Sequence, residues 1–219
     1  MNIAEYIDHT LLKADATGTM VKKICQEAVQ YGFASVCVNS GFAELVSGQL
    51  SGSKVKTCVV SGFPLGASQT LVKAFEAREA IKRGALEIDM VLNIGALKEG
   101  LYGLVEDDIR AVVQAADGKT VKVIFECCLL KDSEKERACE MAVQAGADYV
   151  KTSTGFSSGG ATLEDVKLLK RTVGKRARVK ASGGIRTAED ALAFIEAGAD
   201  RIGTSSGVSI FKELQNRNQ

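Results

Sequence analysis

Residues 84–93, Gly-Ala-Leu-Glu-Ile-Asp-Met-Val-Leu-Asn (GALEIDMVLN), join the end of a helix to a β-strand. Glycine is favoured just past the end of a helix because it adopts a positive φ at no steric cost. The run that follows alternates acidic and apolar residues, as a half-buried strand does. We therefore interpret this stretch as the junction between one helix and the next strand.

The same junction recurs at three other glycines: the chain reads GFASVCVN from Gly32, GADYVKTS from Gly146 and GADRIGTSS from Gly198. With Gly84, these glycines lie 52, 62 and 52 residues apart, about two strand–helix units each time. Over 219 residues this period predicts eight units. Strict alternation of strands and helices is typical of a parallel sheet. The predicted strands cover residues 5–10, 33–39, 56–62, 86–93, 121–127, 148–153, 178–182 and 200–205.

Helical patterns fill the intervals between these strands. The segment Thr187-Ala-Glu-Asp190 resembles a capping box, and Ser133-Glu-Lys-Glu136 predicts a cap for a helix further upstream. Apolar residues at the helical spacing i, i+3, i+4 and i+7 mark two of the helices. They are Ala188, Ala191, Leu192 and Ile195 in one helix, and Val21, Ile24, Cys25 and Ala28 in the other.

We predict one domain, residues 1–219, folded as a single (β/α)8 TIM barrel with eight parallel strands. Barrels of this kind have about this length. The chain has one proline and no linker, charge block or low-complexity stretch at which a second domain would begin. The alternative is a doubly wound open sheet, whose dinucleotide-binding version is disfavoured because the G-x-G-x-x-G fingerprint is absent.

The composition of the chain limits the kinds of molecule that it is expected to bind. Charged residues make up 25% of the chain and the formal net charge is +1, with Lys and Arg scattered rather than clustered. This predicts no nucleic-acid partner and no anionic membrane surface. The start MNIAEYIDHT lacks the features of a signal peptide, and no apolar run reaches the roughly 18 residues that cross a bilayer. We expect a cytoplasmic protein.

Histidine and cysteine usage argues against a metal site. His9 is the only histidine, and the six cysteines form no C-x-x-C pair. A zinc site usually draws on several such ligands at short spacings. We therefore expect no metal, and we interpret the cysteines as reduced, buried, small apolar residues.

Strand alternation predicts which side chains enter the barrel. Successive side chains point to opposite faces of a strand. Ile88, Met90 and Leu92 are expected to face the helices, as are Val150, Thr152, Val179 and Ala181. The inward set is then Glu87, Asp89, Val91, Asn93, Tyr149, Lys151, Ser153, Lys180 and Ser182. The run VKVIFEC, residues 121–127, does not alternate clearly, and its orientation stays open.

Asp89, Lys151 and Lys180 are the inward residues that suggest chemistry. A single carboxylate cannot neutralise two ammonium groups, so one lysine is expected to have a lowered pKa. An uncharged amine is the nucleophile needed to form a Schiff base with a carbonyl substrate. The alternative is an interior ion-pair network that only stabilises the barrel.

Three loops rich in Gly and Ser follow the later strands: residues 154–160 (TGFSSGG), 182–186 (SGGIR) and 203–207 (GTSSG). Glycines let backbone N–H groups approach an anion, and a helix N-terminus favours negative charge. Barrels often bind phosphate at this place, so we predict a phosphate site. The alternative is that these are only tight turns.

The chain resembles the 2-deoxyribose-5-phosphate aldolases nearly end to end. The similarity lies in DHTLLK at 8–13, EIDMVLNIGALK at 87–98, KTSTGFSSGGAT at 151–162, KASGGIRT at 180–187 and RIGTSSG at 201–207. The resemblance implies a class I aldolase on a (β/α)8 barrel. Such an enzyme reversibly cleaves 2-deoxy-D-ribose 5-phosphate to acetaldehyde and D-glyceraldehyde 3-phosphate, without a metal or an organic cofactor.

The resemblance also implies roles for individual residues. Lys151 matches the Schiff-base lysine, Asp89 the carboxylate that moves protons, and Lys180 a second lysine that supports the relay and lowers the pKa of the nucleophilic amine. Positions around the phosphate are matched by Gly155, Gly183, Gly184, Gly203, Ser205 and Ser206. Pocket positions near the sugar are matched by Asp8, Thr10 and Cys37. The chain departs from the family pattern at Ser40-Gly41-Phe42, where a proline is usual.

Other functions remain open at this level. One is another phosphate-binding barrel enzyme, such as a transaldolase-like transferase or a sugar-phosphate isomerase. The other is a non-catalytic barrel that binds a phosphorylated metabolite. For the aldolase, the expected partners are a sugar phosphate and aldehydes, together with further copies of the chain in a homo-oligomer (dimer or tetramer).

Overall fold

The eight strands of the described residues form one closed parallel barrel. The computed structural model describes residues 2–217. Each strand pairs in parallel with the next along the chain, and the last pairs with the first. The strands are β1 (Ile7–Leu11), β2 (Ser35–Val38), β3 (Lys56–Ser61), β4 (Glu87–Val91), β5 (Thr120–Ile124), β6 (Tyr149–Lys151), β7 (Arg178–Ser182) and β8 (Arg201–Thr204). The predicted TIM barrel is confirmed, and the open-sheet alternative is wrong.

Helices connect the strands and surround the barrel. They are α1 (Gly18–Tyr31), α2 (Ala43–Gln49), α3 (Thr70–Lys82), α4 (Ile94–Lys98), α5 (Tyr102–Ala115), α6 (Asp132–Gln144), α7 (Leu163–Val173), α8 (Ala188–Glu196) and α9 (Gly207–Arg217). Short 3₁₀ helices cover Ile3–Tyr6, Ser40–Phe42 and Cys127–Leu129. Among the helices of residues 2–217, none combines the length and apolar character needed to cross a lipid bilayer.

The four glycine junctions lie at equivalent places in the barrel. Gly32, Gly84, Gly146 and Gly198 follow helices α1, α3, α6 and α8, and each precedes an even-numbered strand. Their φ angles are 70°, 94°, 89° and 110°, in the region that glycine alone adopts readily. The predicted helix ends at these four glycines are confirmed. From one of these glycines to the next, the chain passes through two strand–helix units, as predicted.

One of the two predicted caps is confirmed. The Thr187 hydroxyl accepts the N–H of Asp190, whose carboxylate accepts the N–H of Thr187. The prediction at Ser133 is wrong, because the N-cap of α6 is Lys131, two residues earlier, and the helix begins at Asp132. There the Glu134 carboxylate accepts the N–H of Lys131 at 2.7 Å, so a first-turn glutamate closes the helix end instead.

The core has two parts, separated by the barrel wall. Ile88, Met90 and Leu92 are fully buried between the sheet and the helices, as predicted. Burying a side chain of this size contributes about 1.5–3 kcal/mol. Inside the barrel, a smaller apolar cluster contains Leu12, Cys37, Cys58 and Val60. Charged side chains fill the interior beside this cluster, and those of Asp89 and Lys122 contact Cys58.

Strand ends differ from the predicted ones by up to three residues. β4 ends at Val91, so the alternation does not continue to Asn93 as predicted. Instead the Asn93 side chain accepts the N–H of Ala96 and caps α4. Such capping by a short polar side chain competes with strand continuation.

Candidate active site

Lys151, the last residue of β6, lies at the floor of a cavity of about 400 Å³. Its side chain is only 4% exposed. The cavity opens at the carboxyl ends of the strands, and the loops after β1, β6, β7 and β8 line it. In TIM barrels this is the face at which catalysis takes place.

The Asp89 carboxylate joins three lysines. Its Oδ2 accepts hydrogen bonds from Lys151 Nζ at 2.7 Å and from Lys180 Nζ at 2.8 Å. Its Oδ1 accepts from Lys122 Nζ at 2.7 Å and from the Cys58 thiol at 3.2 Å. Burial alone would raise the pKa of Asp89, but the three ammonium groups hold that pKa well below its ordinary value. Without substrate, Asp89 is therefore ionised beside the candidate nucleophile.

The expectation of two lysines around one carboxylate is wrong, because the network is larger. Lys180 also donates to Asp8, which in turn contacts Arg201 at 2.6 Å. Lys122 contacts Glu87 at 2.6 Å, in addition to Asp89. Burial would lower the pKa of Lys180, yet Asp8 and Asp89 hold it above its ordinary value. Lys122 is shifted in the same direction by Asp89 and Glu87.

Lys151 differs from the other cations of this network. Lys122, Lys180 and Arg201 each contact two or more carboxylates, whereas Lys151 contacts Asp89 alone. Among the described members of the network, four cations face the three carboxylates of Asp8, Glu87 and Asp89. Lys151 is thus the cation with the fewest ionic contacts, and it is also the amine that reaches the cavity.

Lys122 is the principal residue that sequence reasoning missed. It lies on β5, where Val121 and Val123 pack against the helices and Lys122 points inward. Its Cα pairs in register with that of Asp89 on β4. Lys122 is the single charged residue in the apolar run VKVI, and this could have indicated its role. A lysine buried in a strand needs charged partners, which it finds only if it points into the barrel.

The glycine-rich loops come together around the cavity. Gly155, Gly183, Gly184, Gly203 and Ser205, which were predicted around a phosphate, line it, and so does Thr10, which was predicted near the sugar. Gly183 has a φ of 91°, and a Cβ there would lie 3.0 Å from the Cα of Gly160. Glycine is therefore required where two loops meet. Ser206 is not among the lining residues, and its N–H donates to the Thr204 hydroxyl.

Two residues matched to the sugar pocket lie deeper than expected. Asp8 is fully buried and binds Lys180, Arg201 and the Ser35 hydroxyl. Cys37 is fully buried inside the barrel, next to Cys58. Neither residue lines the cavity. Their effect on a substrate would pass through the residues above them.

Two other expectations concern residues outside the cavity lining. Five of the six cysteines are buried, but the prediction is wrong for Cys128, which is exposed and free. The Ser40-Gly41-Phe42 segment forms a 3₁₀ helix. The Ser40 hydroxyl donates to Glu76 at 2.6 Å, and Glu76 also accepts the N–H of Gly62. This departure from the family pattern therefore ties the loop after β2 to α3.

Two residues that line the cavity, and one that binds its lining, were not singled out from the sequence. Lys13 and Arg186 line it, and within residues 2–217 neither side chain has a carboxylate within salt-bridge distance. Glu126 is buried at the end of β5 with a φ of 56°, and its carboxylate accepts the N–H of Thr154 at 3.3 Å. Lys13 and Arg186 belong to the motifs DHTLLK and KASGGIRT, which the sequence analysis had linked to the site, so both residues could have been found from the sequence.

The described residues include one cluster of ligand atoms suited by distance to a metal ion. The sulfurs of Cys37 and Cys58 and a carboxylate oxygen of Asp89 lie within 4.8 Å of one another. Asp89 already accepts hydrogen bonds from Lys122, Lys151 and Lys180. Positive charge thus occupies the space that a cation would need, and the donor set does not fit a metal.

A closed barrel with a lysine amine on the floor of a glycine-lined cavity is typical of TIM-barrel enzymes that work through that amine. The comparisons agree with this class. The sequence profile of the DeoC/LacD family aldolases matches residues 3–213. The chain belongs to this family of aldolases and is therefore a lyase.

Individual relatives show the same similarity. The chain is 61% identical over 212 residues to a deoxyribose-phosphate aldolase of Streptococcus sanguinis (strain SK36), covering 97% of this chain and 96% of the relative. It is 63% identical over 210 residues to a deoxyribose-phosphate aldolase of Geobacillus sp. (strain WCH70), which covers 95% of this chain and 94% of the relative. Among solved structures, the tetrameric deoxyribose phosphate aldolase from Aeropyrum pernix superposes with a TM-score of 0.91 at 36% identity. The superposition covers 98% of this chain and 92% of that structure. A structure described as QR15, an aldolase, superposes with a TM-score of 0.94 at 42% identity, covering 99% and 97%.

Proposed function

We propose that this chain is a class I aldolase that reversibly cleaves 2-deoxy-D-ribose 5-phosphate to acetaldehyde and D-glyceraldehyde 3-phosphate through a Schiff base on Lys151. The observation that carries the proposal is the position of Lys151, which reaches the cavity while Asp89 binds its Nζ at 2.7 Å. The similarity to deoxyribose-phosphate aldolases supports this substrate.

Substrate binding uses the two ends of the cavity. The phosphate lies against the loops of Gly155, Gly183 and Gly203, where backbone N–H groups approach an anion closely. The side chains of Lys13 and Arg186, which have no salt-bridge partner among residues 2–217, supply positive charge beside it. This anchoring places the aldehyde carbon of the open-chain sugar at the Lys151 amine.

The chemical steps follow from the groups around Lys151. Its amine attacks the aldehyde carbon, and loss of water from the carbinolamine forms an iminium. The C3–C4 bond then breaks, its electrons move into the iminium, and the C4 hydroxyl loses its proton as the triose phosphate forms. Protonation and hydrolysis of the remaining enamine release acetaldehyde. Asp89 and Lys180 move and hold protons during these steps.

Borohydride trapping tests the Schiff base directly. With acetaldehyde and borohydride, the wild-type protein is expected to gain a reduced adduct that peptide mapping assigns to Lys151. Lys151→Leu should show neither adduct nor turnover. Lys98→Leu, which removes a lysine outside the cavity, is the matched control and should retain both. An adduct on another lysine, or turnover in Lys151→Leu, would end the proposal.

A second assay separates the lyase from the remaining alternatives. Release of glyceraldehyde 3-phosphate from 2-deoxyribose 5-phosphate, measured in the presence of a chelator, is expected at full rate. A sugar-phosphate isomerase or a non-catalytic barrel would release none, and a transaldolase-like transferase would prefer ketose donors. The names of the relatives do not favour these alternatives.

Location, domain organisation and assembly complete the proposal. We place the enzyme in the cytoplasm, acting on sugar phosphate and aldehydes, with residues 1–219 as one domain and without a nucleic-acid partner. The near-neutral net charge of +1 supports the last point. The Aeropyrum pernix structure is described as tetrameric, which supports a homo-oligomer. Light scattering at several protein concentrations tests this expectation.

A further inference from the structure

Cys37 and Cys58 form a pair of thiols inside the barrel, below the cavity. Their Cα atoms are register partners on the neighbouring strands β2 and β3. Neighbouring strands lie about 4.7–4.9 Å apart, within the Cα separation of about 4.4–6.8 Å found in disulfides. Both side chains point inward and belong to the same apolar cluster. The pair therefore has the spacing and the direction that an S–S bond needs.

One of the two sulfurs, that of Cys58, is in contact with the Asp89 carboxylate. The two sulfurs lie within 4.8 Å of each other and of an Asp89 carboxylate oxygen. The Cys58 thiol donates to Asp89 Oδ1 at 3.2 Å, and Lys122 Nζ approaches Cys58 Sγ at 3.4 Å. Any change at Cys58 is therefore felt directly by the carboxylate that binds Lys151.

The two thiols differ in reactivity. The neighbouring Cys58 thiol lowers the pKa of Cys37 despite its burial. Burial raises the pKa of Cys58 well above its ordinary value, and the neighbouring Cys37 adds to this. Because the thiolate is the nucleophilic form, Cys37 is the attacking sulfur and Cys58 the resolving one.

Both thiols are fully buried, so a small oxidant in the cavity would have to pass Leu12 to reach them. Leu12 lines the cavity and also packs in the cluster that contains Cys37 and Cys58. Leu12 thus separates the sulfurs from the cavity by the thickness of one side chain. A bound substrate above Leu12 and Lys151 would close the same route.

We propose that Cys37 and Cys58 are an oxidisable dithiol whose disulfide reversibly switches the active site off, with a peroxide as oxidant. The Cys37 thiolate attacks one oxygen of hydrogen peroxide, the O–O bond breaks, and Cys37 becomes a sulfenic acid as hydroxide leaves and takes up a proton. The Cys58 sulfur then attacks the Cys37 sulfur, forming the S–S bond, and the departing hydroxide takes the Cys58 proton. Two thiols and one peroxide yield one disulfide and two waters.

The disulfide acts on catalysis through Asp89. Its formation removes the Cys58 S–H donor from Asp89 Oδ1 and draws the sulfur towards Cys37. The carboxylate then keeps only Lys122 on that oxygen, and its orientation towards Lys151 is no longer fixed from both sides. A shift of about 1 Å in a catalytic group can lower a rate by about a hundredfold.

The experiment treats the full-length wild-type protein with hydrogen peroxide, removes the peroxide with catalase, and follows two quantities. One is the Cys37–Cys58 linked peptide, seen by non-reducing mass spectrometry after free thiols are blocked. The other is aldolase activity before and after dithiothreitol. We expect the link and the activity loss to develop together, both to be reversed by the reductant, and both to be slowed by 2-deoxyribose 5-phosphate.

Variants show which cysteines cause the reversible inactivation. The activity of each treated variant is compared with the activity of the same variant before treatment. Cys58→Ala and Cys37→Ala should lose the component of inactivation that dithiothreitol restores. Cys128→Ser, which removes the exposed thiol, is the matched control and should behave as the wild type. Reversible inactivation without the linked peptide, or its persistence in Cys58→Ala, overturns the proposal. The linked peptide is detected without any turnover, so a failure of the proposed aldolase activity would be seen separately.

Discussion

Gly203 packs directly against the side chain of Lys180. A Cβ at residue 203 would stand 3.0 Å from Lys180 Cε and 2.9 Å from the Cβ of Ser182. Lys180 is fully buried, with Asp8 and Asp89 on its ammonium group, so it has no free space to move into. The missing side chain at residue 203 therefore determines where the second lysine of the site lies.

Gly203→Ala is expected to lower kcat without removing any charged group. The added methyl must displace Lys180 or Ser182, and overpacking of this kind costs about 1–3 kcal/mol of stability. Steady-state kinetics and urea unfolding measure the two effects. Gly41→Ala is the control, because nothing lies within 4 Å of the added Cβ and φ is not positive there. Equal kcat in the two variants would show that the contact with Lys180 has no catalytic consequence.

Lys122→Met is expected to lower the free energy of unfolding by about 3–5 kcal/mol. The change takes from Glu87 its contact at 2.6 Å and leaves it only Arg201 at 3.5 Å, and it removes the ammonium group from Asp89 Oδ1. Breaking a buried ion pair by removing one partner is costly. Urea unfolding at neutral pH measures the loss. The double variant Lys122→Met/Glu87→Gln should recover part of it. A stability equal to that of the wild type would mean that Lys122 is not a required partner.

Lys13→Ala is expected to weaken recognition of the phosphate. Loss of one exposed, unpaired cation from the cavity rim should raise KM for 2-deoxyribose 5-phosphate about fivefold, or by about 1 kcal/mol. The ratio of kcat/KM between this substrate and unphosphorylated 2-deoxyribose should fall accordingly. Lys98→Ala, at an exposed site outside the cavity, serves as the control. A fall of kcat/KM by the same factor for both substrates would contradict a role in phosphate binding.

The stability contributed by Asp8 is expected to depend on pH only in acid. Burial would raise the pKa of Asp8, but Lys180 and Arg201 hold it below its ordinary value of 3.8. The unfolded chain binds a proton at this residue more readily than the folded one, so the contribution is present above pH 3.8 and is lost below it. The difference in unfolding free energy between wild type and Asp8→Asn should be constant near neutral pH and shrink below 3.8. A difference that changes around neutral pH would assign the titration to another group.

Local patterns in the sequence predict the barrel well. Each glycine junction is recognised from a few neighbouring residues. Alternation of side chains in β4, β6 and β7 places Asp89, Lys151 and Lys180 inside the barrel. These are properties of a few consecutive residues, and they do not depend on how the strands assemble.

The charged network could not be predicted in the same way, since it depends on register and on contacts between distant residues. Asp8 and Lys180 are 172 residues apart in the chain, and no local pattern joins them. Lys122 was missed because the run around it is mostly apolar, which is usual for a strand buried on both faces. The predicted cap at Ser133 is wrong for a different reason: the Glu134 side chain closes the same helix end at Lys131, two residues earlier.

The count of four cations and three carboxylates inside the barrel has a consequence for the reaction cycle. Whenever the Lys151 nitrogen is neutral, as a free amine or as an enamine, the interior carries equal numbers of positive and negative groups. As an ammonium or an iminium it leaves one positive charge in excess, located at the substrate. Electrons released by the breaking carbon–carbon bond move towards that charge and cancel it, so the cleavage step brings the protein interior back to electroneutrality.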